Sequence, residues 1–346
     1  MSIAISFTDA EQAEIDRFCA KYGSDIKTVD EIGKTLLYKA AAEWNTAIVR
    51  FLVSKGADVN AKNKMGFTPL HAAASNENVE VIKFLASQGS DIDVKGGSGW
   101  CLLHYAASNK NVEVAKFLVS KGLDVNVKSE NGATPLHSAM RNENIDVVEF
   151  LVSQGADINA KEDYFGDTPL HRARNTEVAK FLVSQGANVN AKTNAGFTPF
   201  HQAAAHEGAD FLRFLVSKGA DVHVKSKYLY FTPLHMAVRD NKDVDVIKFL
   251  ISLGVDVNAK NKHGLTPFHE AALRADIEVA ATLISAGADI EMKNRDGQTP
   301  LLWHMAINST TNVEFVKFLI SQGADVNTQD NMGFAPLHEA CNTRQN

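Results

Sequence analysis

All eight prolines of the chain fall in one recurring four-residue phrase. They are Pro69, Pro135, Pro169, Pro199, Pro233, Pro267, Pro300 and Pro336. Seven follow a Thr and seven are followed two residues later by a His, as in Thr68-Pro69-Leu70-His71. A proline confined to one context marks a single backbone event repeated along the chain, which is the signature of a stacked array. Such an array offers a long surface rather than one deep pocket, so the function it can carry is constrained before any other residue is read.

The period follows from the Thr position. Thr68, Cys101 and Thr134 are 33 residues apart, as are Thr266 and Thr299; the remaining steps are 34, 30, 34, 34 and 36. A second phrase, close to Gly-Ala-Asp-Val-Asn, runs in phase, and a third marker is a glycine just before the Thr position, present in all but the repeat from Thr232. The two glycine sets absorb 19 of the 22 glycines, leaving Gly96, Gly97 and Gly208 outside the pattern.

Local chemistry explains the unit. Thr is a good helix N-cap, its hydroxyl accepting a bond from an otherwise unpaired helix N–H. Proline at the first helical position loses nothing, because that amide has no partner in any case. Ala73 and Ala74 allow close approach of neighbouring helices. Asn78 to Leu85 repeats apolar residues at helical spacing with charges between them, and Gly89 supplies a left-handed cap. One such unit cannot bury its apolar face alone, but stacked units can.

These motifs resemble the ankyrin repeat over about residues 7 to 346. The resemblance implies an all-α, ankyrin-type α-solenoid of helix-turn-helix repeats with short β-hairpin loops. The expected layout is an N-terminal capping half-repeat at 1–33, about nine repeats at 34–333 and a C-terminal partial repeat at 334–346. Thr8 to Lys21 reads as the capping helix, with Ile15, Phe18 and Cys19 inward. The repeat from Thr168 should lose most of a turn from its first helix. That from Thr299 is about three residues longer than the period, carrying Leu302-Trp303-His304, and the loop before Thr232 has Tyr228-Leu229-Tyr230 where a glycine is expected.

Composition narrows the function. Net charge is −6, from 35 basic and 41 acidic residues, whereas a general nucleic-acid binder is more often basic. The three cysteines, Cys19, Cys101 and Cys341, are too few and odd in number for a disulfide framework, which points to a reducing, cytoplasmic compartment. The start of the chain has no basic region followed by a long apolar stretch, and no apolar run approaches the ~20 residues of a membrane helix. Asn308-Ser309-Thr310 matches a glycosylation acceptor, read here as accidental.

Catalytic and metal chemistry find no support in the pattern. Eight of the twelve histidines occupy the repeat position: His71, His104, His137, His171, His201, His235, His269 and His338. Residues one repeat apart lie about 8–10 Å apart, too far to share an ion. They are expected to bond backbone between repeats, as the resemblance also implies. Cys101 with His104, and His338 with Cys341, offer two ligands each at most. No singular nucleophile–base pair stands out, so the reading is a non-enzymatic chain without cofactor. The recurring Asp-X-Asn residues (Asp58 and Asn60, Asp124 and Asn126) read as turn formers. The resemblance adds that such an Asn is a substrate for asparaginyl hydroxylation where the host has the enzyme.

The resemblance implies a scaffold that binds a protein partner through hairpin tips and the outward face of the first helices, acting as a monomer without nucleic acid or membrane. The alternative is an adaptor or inhibitory arm of a larger polypeptide. Aromatic residues and Arg dominate binding hot spots, so the candidates are Trp100, Tyr105, Tyr164, Phe165, Arg172, Arg174, Tyr228, Tyr230, Phe231, Met236 and Arg239. Phe67, Trp100, Phe197, Phe231, Leu265 and Phe334 all precede the Thr position, which makes packing the competing account for them. Tyr164, Tyr228 and Tyr230 fall on hairpin tips and are read as outward.

Overall fold

The computed structural model describes residues 7–23, 25–43, 46–76, 78–241, 243–307 and 312–342, with backbone alone for 340–342. These residues form twenty α-helices and one short 3-10 turn at Gly97–Gly99. The first helix, Asp9–Tyr22, starts from Thr8, whose hydroxyl accepts the Glu11 amide at 3.2 Å while the Glu11 carboxylate accepts the Thr8 amide. Ile15 and Phe18 are buried and Cys19 is half-buried.

After this cap the pattern is a helix pair per repeat. Pro69–Ser75 is followed by Val79–Ser87, and Pro199–His206 by Ala209–Ser217. The residue after the proline position is the core anchor in eight repeats: Leu70, Leu103, Leu136, Leu170, Phe200, Leu234, Phe268 and Leu301 are all at most 2% exposed, whereas Leu337 of the last, partial repeat is exposed. Ala73 and Ala74, fully buried, leave the short distance that first helices need to pack on one another. The second helices bury one stripe, such as Val246, Ile247 and Leu250, at i, i+1 and i+4. Phe200, Phe268 and Phe315 are the largest fully buried side chains.

The helices divide into two compact units. One comprises Met1–Tyr164 with Glu177–Gly186, the other Phe165–Thr176 with Ala187–Asn346. In the first, helix Leu36–Ala42 packs on Pro69–Ser75, and Leu102–Ala107 on Pro135–Ala139. In the second, Pro199–His206 packs on Pro233–Asp240, which packs on Pro267–Arg274, which packs on Pro300–Ile307.

Three local expectations meet the structure differently. The first helix of the repeat from Thr168 is reduced to Pro169–Arg172, four residues, as its spacing requires. In the repeat from Thr299 the first helix, Pro300–Ile307, has eight residues, the same as Pro233–Asp240 and Pro267–Arg274. Residues 308–311, with the Asn308 motif, lie outside the described residues. The loops are narrower than β-hairpins: the described residues contain only two isolated antiparallel bridges, Val29–Thr35 and Lys95–Cys101. A typical loop closes with Thr193 N–H donating to the Phe197 carbonyl at 2.9 Å and Gly196 N–H to the Thr193 carbonyl at 2.9 Å. One closing pair is too short to propagate a ladder.

Candidate partner-binding surface

The histidine of the repeat phrase holds consecutive repeats in register. His201 Nδ1 accepts the Thr198 amide at 3.1 Å and lies 3.0 Å from the Thr198 hydroxyl. An accepting Nδ1 leaves the proton on Nε2, which donates to the Phe231 carbonyl of the following repeat at 3.1 Å. His104 does the same to Ala133 at 2.8 Å, His171 to Phe197 at 3.2 Å, His235 to Leu265 at 3.0 Å and His269 to Gln298 at 3.1 Å. Both nitrogens of these rings are occupied by backbone or cap groups, as the spacing argument expects. The Thr caps its helix as expected: the Thr232 hydroxyl accepts the His235 amide at 3.3 Å and lies 2.8 Å from the His235 ring nitrogen, which in turn accepts the Thr232 amide, a reciprocal capping box. Burial pushes His71, His201, His235 and His269 down to about 4.

Cys101 replaces Thr as a cap, its Sγ 3.2 Å from His104 Nδ1, and burial pushes its thiol up. The Cys341 side chain lies outside the described residues. Among the described residues no group of three His, Cys, Asp or Glu is arranged to hold a metal, and no helix is long and apolar enough to cross a membrane.

The Asp-X-Asn residues do more than form a turn. The Asp58 carboxylate accepts the Asn60 amide at 2.8 Å, the expected local bond. Asn60 then reaches the next repeat, its Nδ2 donating to the Gly89 carbonyl at 3.1 Å and its Oδ1 accepting the Asp91 amide at 2.8 Å. Asn190 and Asn258 repeat both contacts, to Gly219 with Asp221 and to Gly287 with Asp289. Nothing in the local sequence signals this reach, because the partner lies about one period away.

The loops join in the same manner. In the first unit the amides of Lys64, Glu130 and Asp163 donate to the carbonyls of Ile32, Ser98 and Asn131 in the preceding loops, at 2.8–3.0 Å. In the second, Asn194, Lys227, Lys262, Arg295 and Asn331 donate to Phe165, Ala195, Leu229, His263 and Asp296, at 2.8–3.0 Å. A row of loop apices is thereby fixed in each unit.

The candidate residues occupy three kinds of place. Tyr164, Phe165, Tyr228 and Tyr230 are the exposed aromatics of the loop tips, at 74%, 59%, 57% and 49%. Leu229 between the last two is exposed as well. Tyr230 adopts a left-handed backbone, φ +54°, at the apex where its neighbours Gly196 and Gly264 have φ +79° and +76°. A bulky residue in that region carries backbone strain that glycine avoids.

Trp100 and Tyr105 are half-buried partners in an aromatic cluster of the first unit. Their rings are 5.3 Å apart, Tyr105 meets Phe67 edge-on at 5.9 Å, and the Arg141 guanidinium stands 5.3 Å over Trp100. Burial pushes the Tyr105 phenol up to about 12.

Phe231 and Met236 are not outward. They are 6% and 8% exposed and pack with Ala205 and Phe197, while the Phe231 amide closes its loop by donating to the Ser226 hydroxyl. The arginines are engaged. Arg172 Nε lies 3.4 Å from Asp167, and Arg174 is exposed. Arg239 stands 5.0 Å over the Phe231 ring, with Nε 3.3 Å from Asp240. Beside it Glu270 is buried; burial raises its carboxyl's pKa and Arg239 partly offsets this. Asn109 donates its Nδ2 to the Ala74 carbonyl of the preceding repeat at 2.5 Å.

The family model for ankyrin repeats (3 copies) matches residues 3–96, 91–162, 159–226, 225–294 and 268–346, and the chain belongs to the ankyrin repeat family. Ankyrin repeats generally mediate protein–protein interaction. A comparison with curated proteins returns no match.

Proposed function

We propose that this chain is a non-enzymatic scaffold that binds a protein partner through loop tips and the outward face of the first helices. The Tyr228–Tyr230 turn is the anchor of that surface. The carrying observation is the combination at Tyr230 of outward aromatic area and a left-handed backbone that a glycine would adopt without strain. Two tyrosines and a leucine on one apex add apolar area where folding does not require it, and aromatic area of this kind dominates binding energetics. Stacked helices with bonded loops are pre-organised, so little ordering accompanies docking. We retain the division into a half-repeat at 1–33, repeats at 34–333 and a partial repeat at 334–346, acting as a monomer in a reducing, cytoplasmic setting.

The test replaces Tyr228 with Ser and Tyr230 with Gly together, then compares capture of cross-linked partners and the melting curve. Partner capture should fall while melting holds or rises. Unchanged capture by the folded variant would remove the turn from the binding surface.

A further inference from the structure

The loop ladder carries a charge signal that the repeat does not demand. Its donor position is occupied by Lys64, Glu130 and Asp163 in the first unit, so the fold accepts either sign there, since only the backbone amide is used. In the second unit three consecutive donors are Lys227, Lys262 and Arg295, with neutral Asn194 and Asn331 on either side. All three cationic side chains are exposed, and among the described residues no carboxylate pairs with any of them. The Lys227 ammonium sits 5.1 Å over the Tyr228 ring. The other loop lysines are different. Lys62, Lys95, Lys128, Lys161, Lys192, Lys225, Lys260 and Lys293 recur at one position of eight successive repeats. Lys260 and Lys293 donate to the Lys293 and Gln329 carbonyls of the next repeat at 2.8 and 2.9 Å, a structural use.

We infer that the second unit's loop tips receive an acidic, extended segment of a protein partner, whose carboxylates meet Lys227, Lys262 and Arg295 and whose apolar side chains meet Tyr228, Leu229 and Tyr230. The inference rests on reading the Tyr228–Tyr230 turn as contact surface. Successive cations stand about one repeat apart, roughly 10 Å, which an extended chain covers in about three residues. A carboxylate at every third position with apolar residues between matches both features. The chain's net negative charge makes this basic row a local exception, which is what steers an acidic partner to one place.

The test uses the full chain and a fluorescent synthetic peptide with Glu at every third position and Leu between, beside its Gln counterpart and a single-stranded oligonucleotide of equal charge. The Glu peptide should bind in preference to both, and more weakly as salt rises. Lys227→Gln, Lys262→Gln and Arg295→Gln together should weaken it about tenfold. Tyr228→Ser with Tyr230→Gly should weaken it comparably. Glu and Gln peptides binding alike, the oligonucleotide binding as well as the Glu peptide, or a charge variant that binds like the parent would each overturn the acidic partner and leave the aromatic surface standing. A charge variant that loses binding beside an aromatic variant that keeps it would overturn the aromatic surface, and with it the inference.

Discussion

The side chain of Asn126 grips Asp157 one repeat further on. Its Oδ1 accepts the Asp157 amide at 2.7 Å while its Nδ2 donates to the Gly155 carbonyl at 2.9 Å. One primary amide thus pairs with two backbone groups as a peptide unit would, and it ties the turn of one repeat to the helix end of the next. Asn126→Ala should destabilise the protein by about 1 kcal/mol, the net value of a small set of partly exposed hydrogen bonds. Urea denaturation measures this. An unchanged midpoint would show that the clamp has no stabilising role.

In the second unit a buried imidazole also joins consecutive repeats. His235→Ala removes the bond to the Leu265 carbonyl and the acceptor for the Thr232 amide, and leaves a void in a fully buried site. A loss of about 3 kcal/mol is expected. A loss below about 1 kcal/mol would mean that the carbonyl and the cap find other partners.

Stability should depend on pH through these rings. Burial holds His71, His201, His235 and His269 at about 4, against an ordinary value of 6.5. Between those values the unfolded chain binds more protons than the folded one, so stability is complete above about pH 6.5 and declines as pH falls toward 4. Glu270 and Asp167, whose pKa values burial raises, act in the opposite direction. Melting temperature followed from pH 7 to pH 5, above most carboxylate titration, should fall steadily; a flat profile there would contradict the neutral-imidazole account.

Two glycines with similar backbones should respond differently to alanine. Gly219 has φ +83° and open space around it, so Gly219→Ala costs only the left-handed strain, about 1–2 kcal/mol. Gly196 has φ +79°, and a Cβ there would lie 2.6 Å from the Lys227 nitrogen, a rung of the loop ladder. Gly196→Ala should therefore cost about 3 kcal/mol or more. Equal melting points for the two variants would show that the ladder yields freely.

Tyr230 is the converse case. Tyr230→Gly relieves a left-handed tyrosine and should raise stability by about 1 kcal/mol while weakening partner binding. A variant that is both less stable and fully able to bind would refute the assignment of strain to function.

Much of this was legible in residue order because repetition turns weak local signals into a strong one. Pro at the first helical position, the alanine pair, the apolar stripe and the glycine cap each name a backbone state, and their recurrence names the stack. The paired use of the repeat histidines also followed, since a ladder with this pitch leaves each ring only backbone to meet. Within the candidate site, Tyr164, Tyr228 and Tyr230 were placed outward because loop apices face solvent by construction.

Phe231 and Met236 were not decided by sequence. An aromatic before Thr can point out or pack inward, and the choice depends on Ala205 and Phe197 of the neighbouring repeat, against which Phe231 and Met236 pack. The reach of Asn126 to Asp157, the left-handed Tyr230 and the alignment of Lys227, Lys262 and Arg295 likewise depend on which residues the stack brings side by side. Local order set each unit's helices and turns through short-range sterics and capping. The contacts across about one period formed only once the units packed, and they decided which side chains stayed exposed.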